Sequence, residues 1–452
     1  MCDEQIMDEN FGTHLQLNDL PSELYDEIFK YLQMDDLANM SLTCKMYKAL
    51  TESFFSRFFR SEVIHIFSRK TVRIGQRYQI RFRQCIRSVE VDFETVDSVN
   101  ATFLFIRNNC ASDLRSLVLY SYENKSGVED IHVDIILDQI KNVEILLVKD
   151  VCPGYLMKHC KKIHTLGISA DDIDADRNDW FRNCNPKLET VMLSYCLRDA
   201  GSFTNFLRVN PQLSAIVLKN NDLGIDSLCS AEITLDYAAV QLTDQSSPLL
   251  DLAKLNRRSM KSLDLLLSNE HYIYPSFDLV AVQAAFDLEV ADGLHFVATR
   301  ENSHIFETIG IKRHIKRLCI EFDNDELTVN ISERIVSAFP NLQCLWIYRG
   351  FSERNSITEL ILPIVSFAKN IKAIFFVSSK CDRISKRDAV KLNTARSKTT
   401  NASKVKIITD GSVSSKLSLV EINRCQRRNV FCPLCHESVI DWELLNYVSE
   451  AF

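Results

Sequence analysis

One pattern governs what this chain can fold into: an apolar residue, two residues of any kind, an apolar residue, one of any kind, and a third apolar residue. It occurs at Ile86/Val89/Val91, Leu114/Leu117/Leu119, Val143/Leu146/Val148, Ile163/Leu166/Ile168, Leu188/Val191/Leu193 and Leu213/Ile216/Leu218. It continues at Met260/Leu263/Leu265, Ile315/Leu318/Ile320, Leu342/Leu345/Ile347 and Ile371/Ile374/Phe376, with weaker copies near Ile233/Leu235 and at Ala291/Leu294/Phe296. Together these frames recur with a mean step of about 26 residues, the period of stacked repeats. The last two apolar positions are two apart, so they share one face of a short strand. A single unit cannot bury that face, and neighbouring units must stack to do so. Between frames, 201–209 and 331–339 have helical spacing: Phe203, Phe206 and Leu207 share one face, and Ile331, Ile335 and Ala338 share another. Pro211 and Pro340 stop these helices just before the next frame.

Two frames run on, to Cys196 after Leu193 and to Asn221 after Leu218. In this the chain resembles leucine-rich repeats. The resemblance implies an α/β fold: a solenoid (horseshoe) of about 10–12 degenerate repeats over residues 61–380. Another α/β arrangement with parallel strands stays open, because the period drifts and Leu is often replaced. In either case the residues at frame positions +2, +4 and +6 face away from the core, onto the inner surface of the sheet. Arg317, Trp346, Tyr348 and Phe375 are the substrate-binding candidates there, since aromatic residues with Arg beside them are common interface anchors. The competing expectation is that these aromatics touch only each other or lie under the C-terminal tail. A register error of one residue would turn every side chain over.

Residues 1–16 are polar and aperiodic and read as a disordered tail. Order is expected from Leu17 through a small helical module at 17–60. Pro21 suits a first helical turn. Leu24, Ile28 and Leu32 form an apolar stripe, Asp35 is a plausible N-cap for a second helix, and Met40, Cys44, Tyr47 and Phe54 share a face. The run Leu20-Pro21-Ser22-Glu23-Leu24, then Ile28-Phe29-Lys30-Tyr31-Leu32, Asp35-Asp36-Leu37 and Ser41-Leu42-Thr43-Cys44-Lys45 resembles an F-box. Thr43 stands where the family usually has Val, and Tyr47 where it usually has Trp. The resemblance implies docking on the Skp adaptor of a cullin–RING ubiquitin ligase, with Leu20, Pro21, Leu24, Ile28, Leu32, Leu37 and Cys44 as adaptor-facing or motif-core positions. The plainer expectation is an amphipathic helical hairpin packed on its own chain.

Residues 381–416 are expected to be a basic loop or irregular segment. The stretch 380–416 holds ten Lys/Arg and three Asp, and it reads as a dock for acidic or phosphorylated segments, as a nuclear address or as a solvated loop. Residues 417–452 are expected to form a C-terminal cap with a helix around Val439, Trp442, Leu445 and Tyr447. Cys425, Cys432 and Cys435 are weak zinc candidates, short of a full ligand set, so no metal and no cofactor is expected.

Only 11 glycines occur in 452 residues, and no phosphate-binding glycine loop or nucleophile motif is found. The net charge of −7 gives no nucleic-acid signature. No apolar run approaches the length of a membrane span. The acidic start gives no secretory signal, and fifteen cysteines without one point to free thiols in the cytoplasm and/or nucleus. By resemblance, then, the chain is expected to be a non-catalytic substrate receptor of a Skp–cullin–F-box ligase. The alternatives are a repeat scaffold without a ligase role, or a Cys/His tail acting with zinc as its own ligase module.

Overall fold

A computed structural model of the chain describes residues within 20–424, apart from 60–62, 69–71, 75–76, 94, 122–132, 150, 152, 170–181, 183, 195–199, 220–225, 229, 232, 243–259, 268–278, 299–303, 323–326, 349–355, 378–383 and 410–414. The expected tail at 1–16, Cys196, Asn221, the helix around Trp442, and Cys425, Cys432 and Cys435 lie outside the described residues. The chain divides into two compact units, Met1–Glu123 with Gly127–Glu144, and Asn124–Ser126 with Ile145–Phe452.

The first unit opens with three helices: α1 (Ser22–Phe29), α2 (Met34–Met40) and α3 (Lys45–Phe58). Pro21 is the N-cap residue of α1 rather than a member of its first turn; at φ −56° it enters the helix without an N–H to satisfy. Gln33, not Asp35, occupies the N-cap of α2. Asp35 and Asp36 lie in its first turn, where they meet the positive end of the helix dipole. Cys44 caps α3, its Sγ accepting the Tyr47 N–H at 3.5 Å. Tyr25, Phe29, Phe54 and Phe55 are buried between the helices. Phe29 meets Phe54 edge-on at 5.3 Å, and Tyr25 meets Tyr47 at 5.9 Å.

Strands β1 (Val63–Ser68), β2 (Val72–Ile74), β3 (Ser88–Phe93) and β4 (Ser116–Ser121) follow, with α4 (Arg77–Phe82) and α5 (Val96–Asn109) between them. β1 runs parallel to β3 and β3 to β4, while β2 is antiparallel to β1. A capping box between Thr95 and Ser98 starts α5. α4 fastens the helical module to these strands. Phe82 stacks on Phe55 at 4.4 Å, Arg81 Nε donates to Ser41 Oγ at 2.5 Å, and Gln79 Nε2 donates to the Val63 carbonyl at 2.7 Å.

The second unit is built on short strands, each pairing in parallel with the next in the chain: β5 (Ile145–Lys149), β6 (Thr165–Ser169), β7 (Thr190–Ser194), β8 (Ala215–Lys219), β9 (Tyr237–Leu242), β10 (Leu263–Leu267), β11 (Gly293–Ala298), β12 (Arg317–Phe322), β13 (Cys344–Tyr348), β14 (Ala373–Val377) and β15 (Val405–Thr409). Successive strands begin 20 to 32 residues apart. The paired apolar positions of the frames sit on these strands and are buried, among them Leu146/Val148, Leu166/Ile168, Leu318/Ile320 and Leu345/Ile347. Each contributes roughly 1.5–3 kcal/mol by leaving water. Helices Ala200–Val209 and Val329–Ala338 form where their apolar spacing predicts, with Phe203, Phe206, Leu207, Ile335 and Ala338 buried.

Two details of register differ from the frames. The weak copy near Ile233/Leu235 is Leu235/Ala238/Val240, because the strand begins at Tyr237. Between β10 and β11 the frame slips by two residues, so Leu265 pairs with Leu294 and Asp264 with Gly293. A slip of two keeps every side chain on its own face, whereas a slip of one would not.

The basic segment is not irregular. Residues 386–397 are a helix with a Ser385/Asp388 capping box, and β15 follows it. A short apolar side hid the helix, whose buried residues are only Ala389, Leu392 and Arg396. Residues 415–424 form a hairpin, β16 (Ser415–Lys416) and β17 (Val420–Arg424), and β17 extends the sheet in parallel from β15. The start of the expected cap is therefore one more strand.

Arg396 is fully buried. Its Nη1 donates to the Val365 and Ala368 carbonyls at 3.0 and 2.7 Å, and its Nη2 to those of Lys369 and Ile371 at 2.9 and 3.3 Å. Its Nε donates to the Ser403 carbonyl at 3.0 Å. The first four carbonyls lie at the C-terminal end of helix Ile357–Phe367 and just beyond it, where a helix leaves its last acceptors unpaired and its dipole is negative. Burial lowers the guanidinium's pKa from its ordinary value.

Candidate functional site

The helical module exposes a greasy surface. Leu24 is 47% exposed, Ile28 38% and Tyr31 88%. The inward pair of α1 is Tyr25/Phe29, one position further round the helix from the Leu24/Ile28/Leu32 stripe, and its larger rings take the core. Leu20 and Leu32 are half-buried, and Pro21 and Cys44 are exposed. Leu37 is fully buried, so it belongs to the module's own core and acts on any partner only through the shape of α2. Phe58 at the end of α3 is 49% exposed, with the cations of Lys30 and Arg57 over its ring at 5.8 and 5.6 Å. Arg57 also clamps Asp26 with two hydrogen bonds of 2.6 and 2.7 Å, locking α3 against α1. Tyr31 stands in the motif run without having been named an adaptor-facing position, and Phe58 lies beyond the run; its place beside Lys30 becomes visible only once α1 and α3 are packed.

The inner face of the second unit carries the other set of candidates. Arg317, on β12, reaches across β11 to Asp264 on β10. Its Nε lies 3.0 Å from both carboxylate oxygens, and its Nη2 lies 2.6 Å from Asp264 Oδ1 and also bonds Ser262 Oγ. Tyr237 Oη donates to Asp264 Oδ2 at 3.1 Å, and the guanidinium lies 6.0 Å from the Tyr237 ring. The reach needs a bare strand between the partners: a Cβ on Gly293 would stand 2.1 Å from Asp264 Oδ1. Burial works against the Arg317 cation, and the Asp264 carboxylate outweighs it, so its pKa lies above the ordinary arginine value. Asp264 and Gly293 were legible only as inner-face positions of two frames, because their use depends on a partner two strands away.

Trp346 and Phe375 sit side by side on β13 and β14, stacked with centroids 5.0 Å apart, and both are buried. Arg317 and Cys344 share the neighbouring row of the same face. Tyr348 is the last residue of β13 and pairs with Glu321 and Val377. The structure therefore brings Trp346 and Phe375 together and places Arg317 one row below them.

Among the described residues no cluster of three or more His, Cys, Asp or Glu side chains is arranged to hold a metal, and no described helix is long and apolar enough to cross a membrane. Burial pushes the thiols of Cys110 and Cys160 up to about 12, and that of Cys344 up to about 11. At pH 8 these three should resist alkylation while exposed Cys44 and Cys184 react. Mass spectrometry after brief iodoacetamide treatment of the native chain measures this; Cys344 modified as fast as Cys184 would contradict its burial. Because these pKa values are raised in the folded state, their contribution is complete below about pH 8.5 and is lost as pH rises through 11–12.

Among curated proteins, none matches the chain. Residues 17–61 match the F-box-like family model, so the three helices and the exposed stripe they carry form an F-box-like domain at the head of an α/β chain with a long parallel sheet.

Proposed function

We propose that the chain is the substrate-recognition subunit of a Skp–cullin–F-box ubiquitin ligase, acting in the cytoplasm, the nucleus or both. The F-box-like domain holds the Skp-type adaptor. The parallel array, which we read as a degenerate leucine-rich-repeat solenoid, holds the target protein. The chain performs no bond chemistry in this reading. It raises the effective concentration of target lysines near the ligase's ubiquitin-carrying partner.

The observation that carries this reading is the outward Leu24/Ile28 stripe on a domain matched to the F-box-like family. An exposed apolar stripe on so small a domain calls for a partner. Covering two such side chains is worth roughly 3–6 kcal/mol. The double variant Leu24→Asp/Ile28→Asp should therefore weaken adaptor binding by at least about 100-fold, with an unchanged melting temperature because neither side chain is in the core. Titration calorimetry against the purified adaptor measures it. Binding within threefold of wild type would remove the ligase reading and leave that of a repeat scaffold.

A further inference from the structure

We infer that the chain's own C-terminal segment, residues 437–452, lies across the inner face of β11–β15 and covers the row from His295 to Ile408. This goes beyond the target-binding reading of the second unit and rests on it only for its consequence: a target for that row has to displace the segment.

His295, Cys319, Trp346, Phe375 and Ile408 are register partners across five adjacent parallel strands. All five are between 2 and 9% exposed. One row below on the same face, Arg317, Cys344 and Ala373 are only half-buried, and Lys406 is exposed. A face open to water would wet the tips of both rows, because neighbours in a row shield one another's flanks and not their tips. A strip one residue high, buried beside an open row, is the footprint of a single segment running across the strands. None of His295, Cys319 and Phe375 lacks an interaction partner.

The connections at the upper end of these strands are short for that task. After β11, β12, β13 and β14, six to eight residues lead to the next helices, which start at Ile305, Val329, Ile357 and Lys386. Each connection must carry the chain to the opposite face, where Phe286 of helix Leu279–Asp287 meets Phe296 of β11 edge-on at 5.6 Å.

The C-terminal segment starts in the right place. β17 runs parallel to β15, and Asn423, its last residue but one, is the register partner of Ile408. The chain therefore leaves Arg424 at the level of the buried row and at its end. Residues 425–436 can span up to about 40 Å, against the single strand spacing of about 4.8 Å back to β15. From β15 to β11 is roughly 19 Å, which a helix crosses in about 13 residues. Residues 437–452 supply that length, and Ile440, Leu444, Tyr447 and Val448 have the spacing of one apolar helical face. Such a face suits Trp346, Phe375 and Ile408, a surface too apolar to be left to water.

The test uses the full chain. The photo-cross-linker p-benzoylphenylalanine, placed at Ala373, stands two residues from Phe375 on the same face and replaces a side chain that is only half-buried. After irradiation, peptide mass spectrometry should find adducts within 437–452 of the same copy of the chain. Adducts confined to 299–304, 323–328, 349–356 or 378–385, adducts joining two copies, or none within 437–452 would overturn the inference. A second readout leaves the inner face untouched. Ile440→Asp/Leu444→Asp should speed alkylation of Cys319 at pH 8 at least about tenfold, while Cys160, buried elsewhere in the second unit, keeps its protection. Cys319 as protected in the variant as in wild type would also overturn the inference. So would Cys160 gaining reactivity in step with Cys319, which marks a general loosening instead of one uncovered row. Adaptor binding is measured separately. Adaptor bound without adducts in 437–452 sinks this inference alone, and adducts there without adaptor binding sink the ligase reading alone.

Discussion

Arg396→Met should destabilise the end of the second unit by about 3–5 kcal/mol, the range for removing one side of a buried charged network. The substitution fills most of the volume and removes every donor. Five backbone carbonyls, those of Val365, Ala368, Lys369, Ile371 and Ser403, then lose a donor. The Ala368 carbonyl keeps the Ile371 N–H and the Ile371 carbonyl keeps Ser403 Oγ, while exposed Lys369 and Ser403 can turn to water. One buried acceptor without a donor costs about 1–3 kcal/mol, and the lost packing of a fully buried side chain adds to it. Arg396→Lys should fall between, because an ammonium keeps the charge but cannot spread over carbonyls from two turns. Stacked repeats open locally, so hydrogen exchange is the sharper readout: amides of 357–409 should lose protection before those of β5–β8. Arg396→Met with wild-type protection there, and an unfolding free energy in urea lowered by less than about 1 kcal/mol, would show that the buried fork is dispensable.

Asp264→Ala should cost about 2–4 kcal/mol. It leaves the Arg317 guanidinium largely out of water with Ser262 Oγ and the Tyr237 ring as its neighbours, and it removes the Tyr237 hydroxyl's carboxylate acceptor as well. Gly293→Val should act in the same direction by another route, since its first carbon already collides with the Asp264 carboxylate. The double change Asp264→Leu/Arg317→Met should recover most of the loss, because exchanging both partners for apolar groups removes the stranded charge. Urea unfolding of Asp264→Leu, Arg317→Met and the double variant completes a cycle. Additive losses, with no recovery in the double variant, would mean that the pair is incidental to stability.

The strands of the second unit were readable because a frame of two apolar residues two apart has one physical use: Leu345/Ile347 or Ile216/Leu218 must lie on one covered face, whatever lies between repeats. The inner face was readable only as a set of positions. Which positions interact depends on partners up to two strands away, and the two-residue slip between β10 and β11 sets Asp264 beside Gly293, a pairing that no local spacing announces. The helical module carried the opposite difficulty. Its motif was legible, yet Leu24/Ile28 and Tyr25/Phe29 are both apolar pairs four apart on the same helix. Choosing the buried pair required knowing that α3 brings Phe54 against Phe29. The helix at 386–397 was missed because its core contact is made by an arginine, a residue that hydrophobic periodicity counts as surface.

The stack of Phe55 on Phe82 and the hydrogen bonds from Arg81 to Ser41 weld the front helices to the β-strand segment after them. A tethered head would sample many bearings and deliver an adaptor to any of them. A welded one would hand over its passenger at a single bearing, so the angle at which a docked adaptor would leave β1–β4 is written into four side chains and not into the length of a leash.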